Sequence, residues 1–123
     1  MSYTFEIDDE IVWGPANQVG NLYVGMINAV ASTLKLPTGL EPNGDDLYSV
    51  DPVVFGTLVK QMLAMYTSSS HPYMHMLLDG VLPISLAMLE RCGGKITIET
   101  AEQAEYFSRY REMDLPMTGK RPQ

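Results

Sequence analysis

The 123-residue chain contains little cysteine and few basic side chains, and both shortages exclude classes of protein. Its one cysteine, Cys92, cannot form an internal disulfide, which fits a reducing compartment. Only 8 lysines and arginines stand against 15 acidic residues, so the chain has no basic stripe with which to follow a phosphate backbone. Nucleic acid is therefore not an expected partner, and an anionic membrane surface is disfavoured for the same reason.

The first residues lack a basic segment followed by an apolar run, so no secretory signal is predicted and a cytoplasmic location is expected. The length and the 46% hydrophobic content suit one compact domain with one core. We assign this domain to residues 1–113. Residues 114–123 show no hydrophobic periodicity and are expected to form a flexible tail.

Charge is also missing from long stretches of the chain. The whole net charge of -7 lies in residues 1–51, which hold eight acidic residues and one lysine, whereas residues 52–123 are balanced. Residues 11–34 and 61–78 contain no charged side chain. Because a surface helix normally carries charges on its outer face, helices in these stretches are expected to be covered by the core or by another chain. A homodimer formed through the first helix is the favoured assembly.

Alternation of apolar and polar residues predicts short strands in residues 3–7, 10–13 and 95–99, the last of which is expected to pair with the first. Residues 36–50 are interrupted by prolines and glycines and are predicted to be a long acidic loop. The strands that remain are few and short. The sequence therefore predicts only a small antiparallel sheet beside the helices.

Apolar residues at helical spacing predict the helices. The first occupies residues 15–34, the second begins at Asp51 as N-cap, and the last begins at Thr100. Residues 72–92 form either one kinked helix or two, because Pro83 removes a backbone hydrogen bond near Asp79. The predicted fold is α+β and mainly helical, a three- to four-helix bundle with the small sheet.

Acidic residues in the first part of the chain support the leading functional hypothesis. A small acidic binding protein, of the immunity or regulatory type, uses its charge to speed the encounter with a basic protein. The spacing of the acidic residues lacks the pattern of a calcium-binding loop, so no metal is expected there. The residues of this predicted partner surface are Asp8, Asp9, Glu10, Glu41, Asp45 and Asp46.

Methionine and tyrosine are concentrated in the central helices and support an alternative. Flexible thioethers and amphipathic rings suit a pocket between helices, so the chain is alternatively a small biosynthetic enzyme or carrier that acts on an apolar metabolite. A plain core explains the same residues equally well. The predicted lining residues are Tyr23, Met26, Met62, Tyr66, Tyr73 and Met74.

His71, His75 and Asp79 are spaced four residues apart and would form one stripe on a continuous helix. Under the enzyme hypothesis this stripe supplies the acid and base groups. Because His71 precedes Pro72, it is equally suited to an N-cap that lies off the helical face. Metal sites normally need three or four convergent ligands, so neither a metal nor another cofactor is predicted.

Several short motifs resemble those of a small family of uncharacterised bacterial proteins of about this length. The resemblance covers residues 3–92. It implies a mainly helical fold of this size, and it implies no activity and no catalytic residue. The motifs are Phe5-Glu6-Ile7, Trp13-Gly14-Pro15, Val19-Gly20, Val50-Asp51-Pro52 with Phe55, and Ser70-His71-Pro72.

Overall fold

The computed structural model of the chain describes residues 3–113 together with Leu115 and Met117. These residues form a four-stranded sheet and five helices. The α+β class predicted from the sequence is therefore confirmed. Apart from Leu115 and Met117, the predicted tail of residues 114–123 lies outside the described residues.

Two hairpins placed side by side make the sheet. β1 (Thr4–Ile7) pairs antiparallel with β2 (Glu10–Trp13), and β3 (Leu40–Pro42) pairs antiparallel with β4 (Leu47–Val50). β1 and β4 run parallel and join the hairpins, so the strand order is β2-β1-β4-β3. The sheet is thus mixed, which corrects the prediction of an antiparallel sheet.

The second hairpin also corrects the prediction that residues 36–50 form a loop. Proline and glycine, which favour a loop, are tolerated at particular positions of a hairpin. Pro42 ends the edge strand β3, and Gly44, with φ +112°, lies between the two strands. β3 has only three residues, and β4 (Leu47-Tyr48-Ser49-Val50) does not alternate strictly between apolar and polar residues, so neither shows the strand pattern.

The five helices are α1 (Asn17–Leu34), α2 (Pro52–Ser68), α3 (Pro72–Leu78), α4 (Val81–Arg91) and α5 (Ala101–Glu112). This corrects the predicted three- to four-helix bundle, because residues 72–92 form two helices with an angle of 46° between them. Pro83 lies in the first turn of α4, where its missing N–H needs no partner within the helix. None of the described helices is by itself long and apolar enough to span a membrane, and the bent pair α3–α4 meets that test only by length and composition.

Helix ends lie where capping residues predict them. The Asp51 carboxylate accepts two backbone N–H groups of α2 at 3.0 and 3.1 Å. The Thr100 hydroxyl accepts the N–H of Gln103 at 3.1 Å and begins α5. Gly93, with φ +83°, terminates α4 in the left-handed conformation. The predicted helix starts at Asp51 and Thr100 are confirmed, because each cap depends only on its own few residues.

Residues 95–99 do not form the strand that their alternation predicts. They contain no helix, strand, turn or bend, and within the described residues they pair with no strand. The expected partner, β1, is occupied on both sides, by β2 and by β4. A strand in the interior of a sheet has no edge left for a further strand.

The core lies between the inner face of the sheet and the helices. The fully buried Phe5 ring stacks on Trp13 and meets Tyr23 of α1 edge-on, with centroids 5.9 Å apart. α2 has six buried side chains and contacts each of the other helices. Arg91 of α4 donates to the carbonyl oxygen of Val12 and ties the helices to the edge of the sheet.

Candidate functional site

His71 lies at the N-terminus of α3 rather than on its side. Its Nδ1 accepts the backbone N–H of Tyr73 at 3.3 Å, and its side chain is exposed. This is the N-cap role that the following proline favours. The histidine therefore does not share a helical stripe with His75 and Asp79.

His75 closes the connection between α2 and α3. Its Nε2 lies 2.7 Å from the carbonyl oxygen of Ser69 and 2.9 Å from that of Tyr66. Because carbonyl oxygens only accept, Nε2 carries the proton in this arrangement. The imidazole also stacks on the Tyr66 ring, with centroids 4.3 Å apart. These contacts give His75 a structural role at this position.

Asp79 contacts the same tyrosine from the other side. The Tyr66 hydroxyl donates to Asp79 Oδ1 at 2.6 Å. Burial raises the pKa of Tyr66, and the bond to Asp79 raises it further. The Tyr66 ring meets the Tyr106 ring with centroids 5.0 Å apart, and the Arg109 guanidinium lies 5.5 Å from the Tyr106 centroid. We call Tyr66, His75, Asp79, Tyr106 and Arg109 the tyrosine cluster.

Tyr106 is the unusual member of the tyrosine cluster. Its side chain is 2% exposed, and its hydroxyl has no hydrogen-bond partner among the described residues. Burial raises its pKa above the ordinary tyrosine value, and the neighbouring Tyr66 and Asp79 act in the same direction. A buried hydroxyl without a partner is costly, which makes this position informative about stability.

The six residues of the predicted Met- and Tyr-lined pocket do not share one environment. Tyr23, Met62 and Tyr66 are buried in the core, and the Tyr23 hydroxyl lies 2.7 Å from Ser85 Oγ. Ser85 donates its own proton to the Val81 carbonyl, so Tyr23 is the donor. Met26 and Met74 are half-buried and pack against the core, whereas Tyr73 is 67% exposed.

A cavity of about 450 Å³ lies elsewhere, between the end of α4, the segment after it and α5. Its lining includes none of the residues predicted for the pocket and no histidine. Glu90 at its rim accepts the Tyr110 hydroxyl at 2.9 Å and pairs with Arg111 at 2.7 Å. The apolar lining residues are Leu86, Leu89, Ile96, Ile98 and Phe107.

The acidic residues belong to the sheet and its turns. Glu6 of β1 and Glu41 of β3 both pair with Ser49 of β4, so the three form one row across the sheet. Their neighbour Phe5 points into the core, so this row lies on the outer face. Neighbouring strands are about 4.8 Å apart, which separates the two glutamate Cα atoms by about 10 Å.

The two acidic turns lie at opposite ends of the sheet. Asp8 and Asp9 form the turn after β1, whereas Asp45 and Asp46 precede β4. Because β1 and β4 run parallel, these turns cannot meet at one end. The predicted acidic residues thus border the outer face at both ends. Asp46 is half-buried and the other turn aspartates, like Glu10, are exposed.

The described residues contain no group of three or more histidine, cysteine or acidic side chains that could hold a metal ion. The residues that sequence reasoning missed are Tyr106 and Arg109 of the tyrosine cluster and the lining of the cavity. Their only sequence signal is the three-residue spacing of Tyr106 and Arg109 on α5, which places both on one side of that helix.

Comparison with known proteins gives one match. The model of a family described as "Family of unknown function (DUF6086)" matches residues 1–119. Neither the curated proteins nor the solved structures contain a significant match. The match is consistent with the predicted resemblance to a small uncharacterised family, and it extends beyond residues 3–92.

Proposed function

The chain belongs to this family of unknown function, and we propose from its own residues that it is a non-catalytic binding domain. Its acidic sheet meets a basic protein partner, and the domain acts as a homodimer in the cytoplasm, in the manner of a small immunity or regulatory factor. The observation that carries the proposal is the row of Glu6 and Glu41 on the outer face of the sheet, together with the acidic turns at its border.

The sheet itself contributes carboxylates and no cations. The strands and the turns within each hairpin contain no lysine or arginine. The negative electrostatic potential at the sheet is therefore the sum of carboxylate contributions of one sign. The carboxylates are those of Glu6, Glu41 and the exposed Asp8, Asp9 and Glu10. Such a field raises the rate of encounter with a positively charged partner and weakens as salt increases. Around 0.1 M salt the screening length is about 10 Å, comparable with the Glu6–Glu41 spacing.

The proposed homodimer is supported by the uncharged surface of α1. Val19 and Leu22 are 49% and 64% exposed, and no charged side chain occurs anywhere in the helix. Exposed apolar side chains without charged neighbours favour contact with another protein over solvent. This helix is the contact surface that the sequence predicts.

The proposed binding of a basic partner by the acidic sheet is tested with a fluorescent decalysine peptide. Fluorescence anisotropy measures its binding at low salt and at 0.3 M salt. The double variant Glu6→Gln/Glu41→Gln should bind about fivefold more weakly at low salt, since the half-buried Glu6 and the exposed Glu41 each contribute about 0.5 kcal/mol. The control Glu102→Gln/Glu105→Gln changes the net charge equally on α5 and should bind like the wild type. Equal weakening in both variants would mean that only net charge matters and that the sheet is no binding face.

The alternative, a small enzyme or carrier acting on an apolar metabolite, is supported by one observation. The buried Tyr106 hydroxyl lacks a partner among the described residues and lies beside the Tyr66–Asp79 hydrogen bond. A ligand with a polar group would give the Tyr106 hydroxyl a hydrogen-bond partner. His75 stacks on the ring of the neighbouring Tyr66. A thermal-shift screen of small phenols and carboxylic acids tests this. Stabilisation of the wild type that disappears in Tyr106→Phe would favour the alternative.

A further inference from the structure

We propose that residues 95–99 form an intermolecular strand, which pairs antiparallel with the same segment of a second copy of this chain about a two-fold axis at Thr97. The inference rests on the homodimer of the proposed function and names its interface. It replaces the α1 surface as the primary contact, because α1 has neither charged side chains nor the row of unpaired backbone groups that would fix the orientation of a second copy.

The segment has the composition of a strand, but it pairs with no strand in the part of the chain that the structure describes. Lys95, Thr97 and Glu99 are exposed, whereas Ile96 is half-buried against the core, so the alternation of an extended chain is present at its start. Among the described residues, no hydrogen bond joins the backbone of residues 95–98 to another residue. Unpaired N–H and C=O groups on a straight, exposed segment are a template for strand addition.

One backbone hydrogen bond fixes which side of the segment is free. The Glu99 N–H donates to Gln103 Oε1 of α5 at 2.8 Å. Successive N–H groups of an extended chain point in opposite directions, so the Thr97 N–H points toward α5 as well. The N–H groups of Ile96 and Ile98 then point away from α5. These are the groups that a second strand can reach.

The side chains make the segment complementary to itself. In an antiparallel pair centred on Thr97, Lys95 of each copy lies opposite Glu99 of the other, and Ile96 lies opposite Ile98. In this register Ile96 and Ile98 exchange both N–H···O bonds with the other copy, which gives four bonds in total. The Glu99 N–H keeps its bond to Gln103. Glu99 already pairs with Lys60 of α2 at 3.6 Å, and its side chain remains 54% exposed for Lys95 of the second copy. The free donors therefore select this register, and the opposite charges agree with it.

The cavity beside the segment supports the same arrangement. Ile98 is 47% exposed and lines the cavity with Ile96, Leu89 and Phe107. Pairing brings two isoleucines of the second copy over this apolar surface. A strand pair of this length buries less area than a stable dimer requires, about 1,200 Å², so the dimer is expected to be weak and concentration-dependent.

Charge reversal tests the self-pairing. Sedimentation of the wild type from about 5 to about 500 µM should show a dimer that forms with concentration. Lys95→Glu and Glu99→Lys should each weaken dimerisation about tenfold, because each places like charges opposite each other twice. An equimolar mixture of the two variants should dimerise like the wild type. A contact that does not bring Lys95 of one copy to Glu99 of the other would not show this recovery.

Matched controls separate the segment from other causes. Lys35→Glu and Glu112→Lys change the net charge by the same amounts at exposed positions outside the segment and should leave the dimer intact. Leu22→Lys on α1 should also leave it intact. If Leu22→Lys abolishes the dimer and the segment variants do not affect it, pairing of residues 95–99 is refuted, whereas the proposed homodimer stands. A wild type that stays monomeric throughout would overturn both.

Amide hydrogen exchange gives a readout that does not depend on mass. With rising protein concentration, exchange at Ile96 and Ile98 should slow at least about tenfold, while exchange at Lys95 and Thr97 stays unchanged. Slowing at Lys95 and Thr97 instead would overturn the proposed register. Decalysine binding by the segment variants should remain that of the wild type, since the acidic sheet face is untouched.

Discussion

Tyr106→Phe should stabilise the protein, whereas the same substitution at Tyr110 should destabilise it. The Tyr106 hydroxyl is buried without a partner in the described part of the chain, and such a group costs about 1–3 kcal/mol. Replacing it with hydrogen removes this cost and leaves the ring contacts with Tyr66 in place. We expect a gain of about 1 kcal/mol in the free energy of unfolding. In a chain of 123 residues this corresponds to about 4 °C in Tm.

Tyr110 is the matched control because it lies on the same helix and its hydroxyl has a partner. It donates to Glu90 Oε1 at 2.9 Å, so Tyr110→Phe should lose about 1 kcal/mol, more if the carboxylate is left poorly solvated. Urea denaturation at pH 7, followed by the fluorescence of Trp13, measures both variants. A Tyr106→Phe variant that is destabilised as much as Tyr110→Phe would refute the reasoning and imply a partner for the Tyr106 hydroxyl.

The pH dependence provides a second test of the same residue. Burial raises the pKa of Tyr106 above the ordinary value of 10.0. Above pH 10 the unfolded chain releases this proton while the native state keeps it, so stability falls as pH rises. The fall is at most about 1.4 kcal/mol per pH unit for one tyrosine. Tyr106→Phe removes this contribution, so its advantage over the wild type should grow between pH 10 and 11.

Further predictions concern backbone and capping positions. Gly94→Ala should destabilise the protein by about 1–3 kcal/mol, because the new methyl group overlaps the Leu89 side chain. Gly25→Ala on α1 should stabilise it by about 0.5–1 kcal/mol, because the methyl group meets nothing within 4 Å. Urea denaturation measures both changes. Asp51→Ala should cost about 1 kcal/mol by the same measurement, because two N–H groups of α2 lose their acceptor. Cys92 is 6% exposed, so its reaction with a thiol reagent should accelerate at least about a hundredfold when urea unfolds the chain.

Helix ends and the first hairpin were predictable because they depend on neighbouring residues. Asp51 lies directly before its helix, and Thr100 lies three residues before Gln103, so the capping hydrogen bonds can be read along the chain. Gly93 ends α4 for an equally local reason. Nothing about these features requires knowledge of a distant segment.

The candidate sites were less predictable, because their residues meet across helices. Spacing alone identified His75 and Asp79, but both contact Tyr66 of a different helix, and Tyr106 comes from a third. The Tyr106 hydroxyl has no partner among the described residues, and this has no signature in the sequence. The role of His71, by contrast, was predictable from the sequence, since the proline after it already indicated a helix cap.

By itself, the sequence determined where charge lies, which segments are helical and that residues 95–99 have the character of a strand. Only the tertiary structure decided which strands pair. β1 acquires neighbours on both sides because residues 40–50 fold into a hairpin beside it, and this leaves residues 95–99 without the strand partner that the sequence predicts. Strand propensity is a property of a few adjacent residues. The neighbouring strand to which they hydrogen-bond comes from a distant part of the sequence or from another molecule.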